Sequence, residues 1–227
     1  MSKAAFFDID GTLLRGESQF SFLLWCIRRG LVPLHRALPV VARYAGYLAG
    51  VSADARKLRA SGYRLFQGLP VSQIDSEAEI FFRENLANRF RLHAKALVEA
   101  HRSNGHLVVL ITSTCAPVAR VIATQLQPDA LIATNLVAVA GVFTGERELP
   151  EPYGKGKRAL VEKFCTKHEL TPAECYAYAD HHSDVTLLEL VGYPTSVNPT
   201  KRLNRTCVKR GWNIVDLDRE LPKTVHV

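Results

Sequence analysis

The first strong signal in the chain is an unbroken apolar run, Ala4-Ala5-Phe6-Phe7, closed by Asp8-Ile9-Asp10 and the turn pair Gly11-Thr12. A short apolar run bounded by turn residues predicts a strand buried on both faces, here Lys3 to Ile9. From Glu17 to about Arg91 the period changes. Apolar and basic residues recur at helical spacing, and breaks at Pro33, Pro39 and Gly68-Leu69-Pro70 divide the stretch into about four helices. Ser72, with Asp75 three residues on, and Ser76 are expected helix starts. Strand-like runs then return. Leu107–Thr112 follows the helix-ending pair Asn104-Gly105. Ala130–Gly145 reads as a strand and then a hairpin turning at Ala140-Gly141. Cys175–Asp180 and Tyr193–Asn198 complete the set, with helices expected over 116–126, 156–168 and 184–191 between them. This alternation predicts an α/β fold: a doubly wound parallel sheet with helices on both faces, interrupted after its first strand by an all-helical insert.

A length of 227 residues suits one large domain or one domain with an insertion, and 47% hydrophobic residues support a sizeable core. The five cysteines (Cys26, Cys115, Cys165, Cys175, Cys207) form no CxxC pair, which fits reduced core thiols of a cytoplasmic protein and not a disulfide framework or zinc site. The N-terminal MSKAAFFDID breaks its apolar run with acids and is not expected to act as a signal peptide. Leu31–Gly50 is the most membrane-like stretch, but His35, Arg36, Arg43, Pro33 and Pro39 interrupt it, so it is not expected to span a bilayer.

Net charge is +7 and uneven. Between Glu17 and Arg64 lie Arg28, Arg29, Arg36, Arg43, Arg56, Lys57, Arg59 and Arg64, opposed only by Glu17 and Asp54. Such a field suits an anionic ligand or surface. A solvated helical face accounts for the arginines equally well at this level.

In doubly wound sheets, ligands bind at the carboxyl ends of the strands. Three strands here end in reactive groups: Asp8 and Asp10; Thr112, Ser113 and Thr114; and Asp180, with Asp184 four residues on. Lys157 begins the helix before the last of these. Hard oxygen ligands of this kind suit Mg²⁺, which often uses only one or two carboxylates. With a metal present, adjacent carboxylates can divide labour, one attacking phosphorus and the other moving the leaving-group proton. A hydroxyl and a lysine then hold the phosphoryl oxygens.

These residues together resemble the haloacid dehalogenase superfamily of phosphohydrolases. DxDGT(L) stands at Asp8, Asp10, Gly11, Thr12 and Leu13. An apolar strand ends at Thr112, the lysine is Lys157 in GKGK, and DxxxD is Asp180 to Asp184. The insert's position is similar to that of the phosphoserine-phosphatase-like group with a helical cap. The resemblance implies a Rossmann-like core over 1–15 and 92–227 and a cap over 16–91. It implies Asp8 as nucleophile and Asp10 as general acid/base. It also implies Mg²⁺ held by Asp8, the Asp10 carbonyl and Asp180, supported by Asp184, with phosphate bound by Thr112, Ser113 and Lys157. Glu17 lies nine residues after Asp8, where phosphoserine-specific members place a substrate-reading glutamate. Their cap motif with its substrate-binding arginine is not recognisable, and Ser113 and Thr114 stand where those members have glycines. His181 and His182 are expected at the rim and not as ligands.

The expected function is Mg²⁺-dependent hydrolysis of a small phosphorylated metabolite, an amino-alcohol or amino-acid phosphate such as histidinol phosphate or phosphoserine. Nucleic acid is not an expected partner. Two alternatives are a lipid-phosphate phosphatase touching a membrane through the basic cap, and a non-enzymatic phospho-aspartate module of the receiver type.

Overall fold

The computed structural model describes residues 3–48 and 55–222. Asp54 and the end of the Leu31–Gly50 stretch lie outside the described residues, as do the side chains of Tyr47 and Arg56.

The core is a six-stranded parallel sheet in the order β3-β2-β1-β6-β7-β8. Its strands are β1 (Ala4–Phe7), β2 (Leu107–Cys115), β3 (Ala130–Thr134), β6 (Tyr176–Ala179), β7 (Tyr193–Val197) and β8 (Asn213–Val215). The doubly wound, Rossmann-like class expected from the alternation is the one observed. β1 is flanked on both sides, Phe7 standing opposite Leu110 in β2 and Tyr178 in β6. Because strand side chains alternate between faces, its residues split between two cores. Ala5 and Phe7 join Val108, Leu110 and Tyr178 on one face. That face is covered by α5 (Ala94–Ser103) and α6 (Ala116–Thr124). Ala4 and Phe6 join Val109, Ile111 and Ala177 on the other, under α7 (Lys155–Lys167), α8 (Val185–Leu188) and α9 (Lys201–Arg210). All five cysteines are buried and free.

Between β1 and α5 come α1 (Ser18–Arg28), α2 (Leu34–Leu48), α3 (Ala55–Arg64) and α4 (Val71–Phe81), the last running into a π turn at Phe82–Leu86. Phe22 and Phe81 from these helices and Phe66 from the turn between α3 and α4 share one apolar cluster with the α5/α6 face of the sheet, so the insert rests on the core. The antiparallel hairpin β4 (Leu136–Val139) and β5 (Val142–Arg147) turns at Ala140 and Gly141, both at positive φ, as a two-residue turn requires. It docks on the insert. The Phe143 carbonyl accepts from Gly68 N–H at 2.9 Å and the Gly141 carbonyl from Val71 N–H at 2.9 Å.

Four details differ from expectation. Pro39 lies inside α2 and does not end it; five residues into the helix, it removes only one bond of the first turns. Pro70, not a serine, precedes α4, and the Ser76 hydroxyl bonds back to the Ser72 carbonyl within the helix. β2 continues past Thr112 to Cys115. The last helix–strand pair, α9 and β8, was not foreseen. Among the described residues no helix is long and apolar enough to cross a membrane.

Phe6 is fully buried between β1 and α7, its ring edge-on to Phe164 at 5.7 Å. Phe6→Ala is expected to cost about 3–5 kcal/mol in urea unfolding; a loss below about 1 kcal/mol would contradict the packing described.

Candidate active site

Asp8 follows β1 directly, and its N–H continues the ladder to the Tyr178 carbonyl at 3.0 Å. Beneath it Phe7 stacks on Tyr178 with centroids 4.8 Å apart, which fixes the floor of the site. The chain then turns tightly, Leu13 and Leu14 N–H both donating to the Ile9 carbonyl at 2.9 Å. Gly11 sits at φ +81°, and a Cβ there would come within 2.2 Å of Asp180 Oδ2. The glycine is therefore required both by the turn and by the close approach of the second acid. Arg91 clamps the turn from outside, donating to the Gly11 carbonyl at 2.6 and 3.0 Å and to Asp218 at 2.6 Å.

Lys157, in the first turn of α7, reaches into this loop. Its Nζ lies 2.7 Å from Asp8 Oδ1 and 3.1 Å from Asp184 Oδ2, with the side chain only 3% exposed. Lys155, two residues earlier in the same GKGK run, is exposed. Burial works against the Lys157 charge, but Asp184 and Asp8 outweigh it and push its pKa up. For Asp8, burial prevails over Lys157 and pushes the carboxyl up to about 7. Asp180 accepts from Thr12 Oγ1 at 3.2 Å. Burial first, then the charges of Asp8 and Asp184, hold its carboxyl well above the usual range. Asp184 is buried, and its Oδ1 has no hydrogen-bond partner among the described residues.

Asp10 is gripped differently. It accepts from Ser18 N–H at 3.0 Å, Ser18 Oγ at 2.8 Å and Thr114 Oγ1 at 2.8 Å. Burial raises its pKa and these donors oppose the rise. Gln19, next in α1, accepts from Cys115 N–H at 2.7 Å. The first turn of the insert is thus tied to the ends of both β1 and β2. Thr112 is buried with its Oγ1 accepting from Thr114 N–H at 3.1 Å, and the Ser113 carbonyl accepts from Tyr63 OH at 2.6 Å.

Asp8, Asp10, Glu17, Thr112, Ser113, Lys157, Asp180 and Asp184 all line one cleft, so the residues to which the resemblance gives catalytic, phosphate, metal or substrate roles come to the same place. Glu17 stands at its edge with its surface open to solvent; the protein crowded around its carboxyl, then the charges of Asp10 and Asp8, push its pKa up. His181 lines the cleft with Nδ1 bound to Ser183, and burial lowers its pKa.

The insert contributes the other wall, including Phe20, Leu23, Tyr44 and Arg59. Arg59 was not singled out as a site residue. Its Nε donates to Glu151 at 2.6 Å, its guanidinium lies 3.3 Å from the Tyr153 ring centroid, and its buried Nη2 has no partner among the described residues. Ser18, Arg91 and Arg59 were missed because neighbours in space, not in sequence, give them their roles. Thr114 had a signal, since it ends the same strand as Thr112.

The residues fit a divalent cation. Five carboxylates (Asp8, Asp10, Glu17, Asp180, Asp184) line one cleft with a single buried lysine that contacts two of them, and among the described residues Asp184 Oδ1 has no hydrogen-bond partner. Among the described residues, no three acidic, histidine or cysteine side chains gather closely enough to hold a metal on their own.

The match to known proteins follows this geometry. Residues 5–189 match the model of the haloacid dehalogenase-like hydrolases, and the chain belongs to that family. It is 32% identical, over 95% of its length and 79% of the relative's, to the inhibition of morphological differentiation protein of Streptomyces azureus. It is 30% identical to a Mycobacterium tuberculosis protein named as a phosphoserine phosphatase, over 95% of this chain and 71% of that one. It is 25% identical to the histidinol-phosphatase of Neisseria meningitidis serogroup C, over 95% and 99%. A Bordetella pertussis structure of unknown function superposes with a TM-score of 0.85 at 28% identity, over 96% and 99% of the two chains.

Without metal, the folded protein binds the Asp180 proton more tightly than the unfolded chain, whose ordinary value is 3.8. The resulting destabilisation is absent below the unfolded pKa and complete above the folded one, so it grows as pH rises between them. Asp180→Asn is expected to raise the Tm of EDTA-treated protein at about pH 8 and to lose most of that advantage at about pH 4. An unchanged or lower Tm at the higher pH would contradict the repulsion described.

Proposed function

We propose that the protein is a Mg²⁺-dependent phosphomonoester hydrolase working through an aspartyl phosphate on Asp8. The observation that carries this reading is the contact of Lys157 Nζ with Asp8 Oδ1 at 2.7 Å. It occurs in a cleft that also holds Asp10, Thr112 and Asp180. An Asp8 oxygen attacks phosphorus, and the bond to the leaving alkoxide breaks. Asp10, whose pKa burial raises, gives the alkoxide its proton. Asp10 then takes a proton from water, which attacks the same phosphorus, releases phosphate and restores Asp8. Lys157, Thr112 and Ser113 hold the phosphoryl oxygens. Asp8, the Asp10 carbonyl and Asp180 would hold Mg²⁺, which offsets phosphoryl charge and keeps Asp8 ionised. Asp184 supports the site by fixing Lys157.

The substrate class follows from the other wall. Glu17 offers a carboxylate to an ammonium group, and Phe20, Leu23 and Tyr44 offer apolar surface to the organic part. An amino-alcohol or amino-acid phosphate meets both, and the names of the Mycobacterium and Neisseria relatives point to the same class. Residues 16–91 act as a cap that shields the reaction from bulk water, over a core of 1–15 and 92–227. A receiver-type module has no need of such a substrate wall.

The test is Asp8→Asn. With Mg²⁺ and a panel containing histidinol phosphate, phosphoserine and a sugar phosphate, the wild type is expected to favour an amino-bearing ester. The variant is expected to keep its fold by circular dichroism and to lose at least about 10³-fold in turnover. Near-normal turnover of any good substrate by the variant would sink the mechanism.

A further inference from the structure

The outward face of α2 has a feature that the cleft does not use. Ala37 and Val40 face inward and are buried, and Val40 and Tyr44 line the cleft. The opposite side of the same helix carries Leu34 and Leu38, which are 62% and 58% exposed, followed by exposed Ala42 and Ala45. Positions 34, 38, 42 and 45 recur at helical spacing, so these residues form one apolar stripe on the surface. Scattered exposed leucines are ordinary; an aligned stripe on a helix already apolar on its buried side is not. His35, Pro39 and Arg43 run beside the stripe and are exposed. Exposed Arg28 ends the helix before α2; Arg29, next to it, pairs with Glu77 at 3.3 Å, and Arg36, half-buried on α2, donates to the Arg64 carbonyl at 3.4 Å. From Ser18 to Ala53 the chain has no acidic residue.

We propose that this face of α2 docks on an anionic lipid bilayer. The leucines would enter the boundary between headgroups and acyl chains, and exposed Arg43 and Arg28 would meet the anionic headgroups. The pairing of apolar and cationic groups selects this occupant, since an anionic bilayer supplies both an apolar interior and negative charge. A second copy of the chain fits poorly. A two-fold contact matches the same patch with itself, and would set exposed Arg43 beside its own copy, with no acid between Ser18 and Ala53 of the chain to answer it. The proposal goes beyond the phosphatase reading, and its test reads binding, not turnover.

The full chain would be co-sedimented with phosphatidylcholine vesicles, with and without about one-third phosphatidylglycerol, at about 20 and 300 mM salt. The protein is expected to sediment with the anionic vesicles only, and less at high salt. Leu34→Asn/Leu38→Asn, at two exposed positions, is expected to keep the fold and to weaken that binding about tenfold or more. No sedimentation of the wild type with anionic vesicles at low salt would overturn the proposal. So would binding that the double variant leaves unchanged, which would place the contact elsewhere. Size-exclusion chromatography of both proteins covers the remaining occupant. A dimer that the double variant dissociates, with no vesicle binding, would make the face a self-interface and also overturn the proposal.

Discussion

The buried ammonium of Lys157 is the constraint around which the site is built. A lysine 3% exposed is tolerated only where anions meet it, and here Asp8 and Asp184 do so at 2.7 and 3.1 Å. The three groups come from the end of β1, the start of α7 and the loop after β6, so the contact fixes how those elements stand relative to one another. It leaves negative charge in excess. Asp180 approaches from the same side, close enough that only glycine fits at position 11. Burial with too little positive charge raises the pKa of Asp8, Asp10 and Asp180 alike. Such a cluster favours whatever cation or charge-neutralising ligand enters it.

The second carboxylate of the DxD pair answers to a different set of groups. Asp10 is held by Ser18 and Thr114, so its position depends on the start of the insert and on the extension of β2 beyond Thr112. Adjacent acids in sequence thereby sit in different surroundings, one against a lysine and one among hydroxyl donors, which is the usual basis for different roles. The insert is fastened at the far side of the cleft too. Glu151 accepts from Arg59 at 2.6 Å and from Arg147 at 3.1 Å, joining α3 to the segment that leads into α7. The insert therefore touches the sheet rim at both edges of the opening and covers one wall between them.

Much of this was legible in the sequence because it rests on local pattern. The unbroken apolar run of β1 and the acids that close it announce a buried strand with a polar mouth. The Ala140-Gly141 turn lies where the alternation broke, and Lys157 precedes a helical apolar period. What was not legible depends on residues distant in the chain. Arg59 looks like one more arginine of a basic stretch until Glu151 and Tyr153, about ninety residues later, hold it at the cleft. Ser18 looks like an ordinary helix start until Thr114 stands 3.1 Å from its hydroxyl. Pro39 by its strong local preference predicts a break, yet tertiary packing of Ala37 and Val40 keeps the helix continuous through it. The strand β8 is only three residues long and carries Asn213, too weak a signal without the neighbouring β7 that pairs with it.

The central claim is that Asp8, and not another of the five carboxylates, becomes covalently phosphorylated. It is tested most directly by quenching the enzyme during turnover with Mg²⁺ and substrate, reducing with borohydride and mapping the peptides by mass spectrometry. An acyl phosphate is reduced where a free carboxylate is not, so residue 8 is expected to be converted to homoserine in proportion to the trapped intermediate. Conversion at Asp10, Asp180 or Asp184 with residue 8 intact, or no conversion at any of them during steady turnover, would contradict the account.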